Sequence, residues 1–354
     1  MADTNGKKSE ITLKPAPEYI TIDPNAKPGP KNGHYSELDP VFASFKDATD
    51  AAIAQVWQCP DWTTFRQAWR LPGPLPEGCP QEGKDAISTY EYVTVRDGAK
   101  VEIKIMKSPN VQKDATLILR THGGGWAVGW HGTEEGENLT AAAHPEVVLV
   151  SVDYRMAPEY PFPYPVNDSF DVLLWCKENA SKLGVNPERI ILLGGSAGAG
   201  LSAVLALKAR DEGVTGIIAQ MLDYPVTCHP SFFPKDKYEL NSYVQNHDAT
   251  IVDAVKMEFF WDLYQKPAQP DPYHSPLLAK SLKGLPPAFI QVAGADPLRD
   301  EAIAYAEALQ EAGVPVELHV YKGLPHFFSN GFPMIPQGIE YLKRQDEYMM
   351  KAIK

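Results

Sequence analysis

Four groups of residues have the types and spacing for acyl-transfer chemistry. Ser196 lies in Gly194-Gly195-Ser196-Ala197-Gly198, between the apolar run RIILLG and the helical pattern AGAGLSAVLALKA. A serine on a tight strand-to-helix turn flanked by small residues is thrust out of the backbone as a nucleophile. The bland alternative is a serine that merely caps a helix. The run His122-Gly123-Gly124-Gly125-Trp126 follows the apolar segment TLILRT. Glycines in series leave backbone N–H groups unshielded and free to point at a developing oxyanion. Asp296 follows AFIQVAGA, and His326 follows VELHVYK in GLPHFF. A neutral histidine takes the serine proton, and a carboxylate orients the ring and stabilises the imidazolium. The chain order Ser196, Asp296, His326 fits nucleophile, acid and base. Asp300 and Glu301 are the alternative acids, because Asp296 also suits a helix cap. His319 sits within a strand pattern and reads as structural.

These residues need a scaffold that gathers strand ends. Residues 87–95 and 101–106 flank Arg96-Asp97-Gly98, a hairpin signal. Further strands are expected at 116–121, 147–152, 189–193, 217–222, 288–293 and 316–321. Helical patterns fall near 133–143, 166–180, 197–212, 298–312 and 337–352. Short apolar runs without alternation suit strands buried on both faces. Their alternation with helices predicts a mostly parallel sheet in a three-layer α/β domain, with an antiparallel edge from the hairpin. Residues 223–274 break the rhythm: they show no strand, many aromatics and a helix over 251–264. Such an insertion sits over the C-terminal edge of the sheet, where ligands bind. With the helical patterns in 36–83 it forms a cap over a core of 84–222 and 275–354. Residues 1–35 read as a polar arm, partly ordered at most. Residues 71–83 are a loop dense in Pro and Gly.

HGGGW, GGSAG, DYRMAPE (153–159), SPLLA (275–279), VAGADPLRDEAIAYAEAL (292–309) and GLPHFF together resemble the hormone-sensitive-lipase family of α/β-hydrolase carboxylesterases. The resemblance spans about residues 85–350. It implies an α/β-hydrolase fold with an eight-stranded sheet, a helical cap, and hydrolysis of carboxylic esters without a cofactor. It assigns Ser196 as nucleophile, His326 as base and Asp296 as acid. Gly124, Gly125 and the N–H of Ala197 become the oxyanion donors. His122 becomes a loop-shaping residue, and Asp153 and Arg155 a structural turn. An acidic residue commonly precedes the nucleophile in that family, whereas this chain has Gly195. Every triad role survives that departure, but the elbow's hydrogen bonds and local field must differ.

Trp126, Tyr154, Phe232 and Phe260, with Phe233, Phe259 and Trp261, are expected to line an apolar substrate pocket. The substrate implied is a short acyl ester or an ester of a secondary metabolite. Acyl transfer to an alcohol, dehydration or cyclisation at the same site is the alternative. A receptor role is disfavoured because His326 is retained.

Composition narrows the partners. The chain has 354 residues, with 33 Lys plus Arg against 45 Asp plus Glu and a formal net charge of -12. An acidic surface argues against nucleic acid as the main partner. No apolar run is long enough for a membrane span. Cys59, Cys79, Cys176 and Cys228 form no CxxC pair, so no zinc ribbon is encoded and no metal is expected. Free thiols are expected, with a Cys59–Cys79 disulfide as the alternative in an oxidising compartment. The first residues lack an apolar signal region, which gives a cytoplasmic default. A homodimer is implied by the resemblance only.

Overall fold

The computed structural model describes residues 11–354. Eight strands form one sheet: β1 (Ile87–Thr94), β2 (Lys100–Lys107), β3 (Ala115–Thr121), β4 (Val147–Asp153), β5 (Val185–Gly195), β6 (Ile217–Asp223), β7 (Ala288–Ala295) and β8 (Val316–Pro325). Their order is β1-β2-β4-β3-β5-β6-β7-β8. The expected hairpin supplies the antiparallel edge, and β2 also runs antiparallel to β4. All remaining neighbours are parallel. β5 begins earlier than its apolar run predicts. Val185 and Asn186 pair with β3 before an irregularity in register, and pairing resumes at Ile190.

The period of two divides each central strand between two cores. Leu117, Leu119, Val148, Val150, Ile190 and Leu192 face one cluster. Ile118, Val147, Leu149, Ile191 and Leu193 face the other. Helices α4 (Tyr164–Glu178), α5 (Ala197–Asp211) and α7 (Arg299–Glu311) contribute to the first cluster. Helices α3 (Glu135–Ala143) and α8 (Pro336–Ala352) contribute to the second. Strands covered on both faces lose all contact with water, which explains why their apolar runs do not alternate with polar residues.

Before the sheet lie α1 (Lys46–Val56) and α2 (Trp62–Ala68). Asp61 caps α2 by accepting the N–H of Thr64. Between β6 and β7 the chain forms α6 (Ala254–Tyr264), shorter at its start than the expected 251–264 helix. Its first turn is set by Asp253, which accepts the N–H of Lys256, and Ile251 lies outside it at φ +71°. Trp57 packs edge-on against Phe259 and Phe260, so α1 and α6 meet through aromatic rings. Residues 11–32 follow an irregular path but are tied down. Ile20 is buried, and the backbone N–H groups of Glu18, Tyr19 and Ile20 all donate to the carboxylate of Glu258 on α6. Polar composition hid this attachment because the anchor is backbone. Residues 1–10 of the expected arm lie outside the described residues. All four cysteines are free thiols. Among the described residues no helix is long and apolar enough to cross a membrane.

Candidate active site

β5 ends at Gly195 and α5 begins at Ala197, so Ser196 alone makes the turn between them. Its backbone sits at φ 55°, ψ -123°, a conformation that costs a non-glycine residue about 1–3 kcal/mol. The Ser196 N–H donates to the Asp223 carbonyl at the end of β6, which holds the turn in place. Two further strand ends complete the group. His326 Nε2 lies 2.8 Å from Ser196 Oγ, and His326 Nδ1 lies 2.7 Å from Asp296 Oδ2. The other Asp296 oxygen accepts the N–H of Leu298 at 2.9 Å. Asp296 and His326 are buried and Ser196 is 7 % exposed, so the serine retains a path to solvent. Tyr224 packs edge-on against the His326 ring and restricts its rotation.

Asp300 and Glu301, the alternative acids, have other work. Asp300 accepts the N–H groups of Asn241 and Ser242. Glu301 accepts those of Thr227 and Cys228 and the hydroxyl of Tyr243. Both tie the segment after β6 to α7. Burial pushes the Glu301 carboxyl up to about 8. His319 bonds Glu317 and Arg344 on the far side of β8.

The HGGGW loop lies beside the elbow. Gly124 adopts φ +118°, and a Cβ there would come within 2.2 Å of the Val128 carbonyl, so only glycine fits. Its carbonyl accepts the N–H groups of Ala127 and Val128. Ala197 opens α5, where N–H groups have no partner within the helix. His122 donates from Nδ1 to the Gly123 carbonyl, and burial lowers its pKa to about 4, so it stays neutral. Its Nδ1 bond thus stays within the HGGGW loop, and the Ser196 hydroxyl is bonded by His326 instead. Arg155 pairs with Asp168 and Asp97. The turn it fixes meets the loop where the Ala157 N–H donates to the Trp126 carbonyl.

A cavity of about 170 Å³ opens above Ser196, lined by Gly123, Gly124 and Gly125, His326, Val226, Met257 and Phe260. Of the aromatics expected to contact substrate, only Phe260 lines it. Three expectations are corrected. Trp126 is buried between Trp261 and Tyr264, stacked on Tyr264 at 4.1 Å. Tyr154 is buried behind the loop, stacked on His122, with its hydroxyl donating to the His122 carbonyl. Phe232 packs beside His229, away from the cavity. Trp126, at the end of the glycine loop, and Tyr154 thus serve as its backing. Phe233 and Trp261 are buried core, and Phe259 packs on Trp57 and Trp62.

Sequence reasoning missed three contributors. Leu71, Pro74 and Leu75 line the cavity mouth, from the Pro- and Gly-dense loop for which no substrate contact was expected. Arg66 on α2 donates to the carbonyls of Ala127 and Ala157, joining the N-terminal helices to the HGGGW loop. Glu134 accepts the Gly123 N–H at 2.8 Å from a fully buried position.

A parallel sheet with a strand–serine–helix elbow and an adjoining glycine loop defines a hydrolase-type site. A family profile for the alpha/beta hydrolase fold matches residues 118–330. The chain belongs to that family. It is 37 % identical to carboxylesterase NlhH of Mycobacterium tuberculosis over 259 residues, 72 % of this chain and 79 % of that one. It is 35 % identical to the versiconal hemiacetal acetate esterase of Dothistroma septosporum, covering 67 % of this chain and 73 % of the other. Among solved structures, the hyperthermophilic esterase of the archaeon Pyrobaculum calidifontis superposes with a TM-score of 0.74. The match covers 90 % of this chain and 99 % of that one at 28 % identity.

Proposed function

We propose that this protein is a serine carboxylesterase acting on small carboxylic esters through an acyl-enzyme on Ser196. The observation that carries this reading is the unbroken hydrogen-bond chain from Asp296 through His326 to Ser196 at the cavity floor. His326 Nε2 accepts the Ser196 proton as Oγ attacks the ester carbonyl. Asp296, held by the Leu298 N–H, keeps Nδ1 protonated and stabilises the imidazolium. The N–H groups of Gly124, Gly125 and Ala197 receive the tetrahedral oxyanion. His326 returns the proton to the leaving alcohol. Water then cleaves the acyl-enzyme by the same route, releasing the acid and regenerating Ser196.

The cavity volume of about 170 Å³ favours short acyl or aryl groups, being comparable to a cavity that admits benzene. The names of the relatives, carboxylesterase and acetate esterase, agree with this. In this reading the 36–83 segment, with α1 and α2, and the 223–274 insertion form the cap over the cavity, and the protein acts as a homodimer without metal or cofactor.

The test is hydrolysis of p-nitrophenyl acetate by the wild type and Ser196→Ala, with product identification and light scattering for mass. The reading expects turnover that vanishes in the variant and acetate as the product. Equal rates in both proteins would overturn the Ser196 esterase. Acyl transfer to an alcohol in preference to water would overturn the hydrolytic outcome.

A further inference from the structure

The elbow and the HGGGW loop approach each other across one buried carboxylate. Glu134 precedes α3 and is 1 % exposed. Its Oε1 accepts the Gly123 N–H at 2.8 Å. The same oxygen lies 3.0 Å from where a Cβ on Gly123 would project and 2.9 Å from where a Cβ on Gly195 would project. Behind it, Arg120 Nη2 on β3 is 3.3 Å from Glu134 Oε2 and 3.0 Å from Glu137 Oε2. Arg120 is fully buried, and with these acids it gives the carboxylate a fixed charged support.

Gly195 does not need to be glycine for its own backbone, because its φ is not in the left-handed region. The three atoms nearest to a Cβ there are Glu134 Oε1, Glu134 Cδ and Arg120 Nη2. No backbone atom is among them. The room that position 195 gives up is therefore the room Glu134 occupies. Burying an ionisable carboxyl beside the nucleophile is costly, and burial pushes Glu134 up to about 7 despite Arg120. A group retained at that cost needs a role, and its one hydrogen bond to the backbone is to the loop that leads into Gly124.

We propose that Glu134 is a positioning residue that fixes the oxyanion loop against the nucleophile elbow, and that Glu134 and Gly195 form an exchangeable pair. The carboxylate reaches the site from the segment before α3, where the resembling family commonly carries one on the residue before the nucleophile. Glu134 touches no substrate. It acts by holding the Gly123 N–H, so the Gly124 and Gly125 amides keep their direction. This rests on the serine-esterase reading.

The experiment compares Glu134→Ala, Glu134→Gln, Gly195→Asp and the double variant Glu134→Ala/Gly195→Asp. It measures kcat and KM on p-nitrophenyl acetate, the rate of Ser196 labelling by a fluorophosphonate, and Tm. Glu134→Ala is expected to lower kcat about 30-fold with KM changed less than about threefold, as for a loss felt mainly in the transition state. Glu134→Gln keeps an acceptor for Gly123 and falls less. Gly195→Asp alone places a side chain on an occupied site and lowers both Tm and kcat. In the double variant the same aspartate enters vacated space beside Arg120, and kcat rises at least about fivefold above Glu134→Ala. A wild type that hydrolyses the ester, with Glu134→Ala changing Tm but neither kcat nor labelling rate, would overturn the proposal alone. So would a double variant in which the two losses simply multiply. A wild type that neither turns over nor labels would overturn the esterase reading and this proposal with it.

Discussion

Asp296 and His326 are joined by a single 2.7 Å contact, Oδ2 to Nδ1, while the second Asp296 oxygen is spent on the Leu298 N–H. The carboxylate is anchored on one side and directs the imidazole from the other. The end of β7 thereby sets the tautomer of a ring carried by the end of β8. Asparagine at 296 presents a side chain of similar shape with an amide in place of the charge. Asp296→Asn should lower kcat by about 10³- to 10⁴-fold, because the ring then settles in the wrong tautomer. Steady-state kinetics on p-nitrophenyl acetate checks this. Retained activity would mean that another acid serves His326.

The HGGGW loop, to which the proposed mechanism gives the oxyanion donors, depends on a conformation that only glycine tolerates at 124. Alanine there places a methyl 2.2 Å from the Val128 carbonyl, and φ +118° is strained for any side chain. The loop must shift and its amides turn away. Gly124→Ala should reduce kcat about 10²- to 10³-fold, the usual cost of one lost donor, while KM changes little. A matched rise in KM with unchanged kcat would contradict that role.

Phe260 is the one expected aromatic that lines the cavity, and it also packs against Trp57. Phe260→Ala should extend the cavity toward α1. The kcat/KM ratio for p-nitrophenyl butyrate over acetate should rise by about tenfold, within the 1–3 kcal/mol that a methylene or two commands in an apolar pocket. The variant should also lose about 3 kcal/mol of stability, as a buried phenyl leaves a void. An unchanged chain-length profile would place the acyl group elsewhere.

Glu301 predicts a pH effect on stability rather than on catalysis. Its carboxyl is pushed up to about 8 by burial, above an unfolded value near 4.5. Between these values the folded state holds a proton that the unfolded state has released. Unfolding free energy therefore falls as pH rises through that window. Glu301→Gln removes the titration while keeping an acceptor for Thr227 and Cys228. The stability of the variant relative to wild type should increase by on the order of 1 kcal/mol per pH unit from about 4.5 to 8, and level off outside it. Denaturant melts at several pH values would show this, and a pH-independent difference would contradict it.

The scaffold was legible because both-face burial leaves a strong mark, namely short unalternating apolar runs such as Val147–Val150 and Ile190–Leu193. The triad candidates stood out for a related reason, since each follows directly on such a run. The cavity lining was legible only in part, at Phe260. Trp126, Tyr154 and Phe232 carry the right chemistry, yet whether a ring lines a cavity or backs a loop is a tertiary fact. Glu134 and Arg66 were hidden because each holds the HGGGW loop through backbone groups, the Gly123 N–H and the Ala127 carbonyl, which leave no pattern in residue types. The packing of residues 11–32 was hidden in the same way, through backbone N–H groups donating to Glu258.

The central claim is that Ser196 carries the acyl group. Rapid mixing of the wild type with excess p-nitrophenyl acetate at slightly acidic pH, quenched for intact-protein and peptide mass, tests it most directly. The account predicts a burst of p-nitrophenol stoichiometric with enzyme and an acetyl group on the peptide containing Ser196, with Ser196→Ala giving neither. Turnover at the wild-type rate by Ser196→Ala, or acetyl found on another residue of a catalytically competent intermediate, would contradict it.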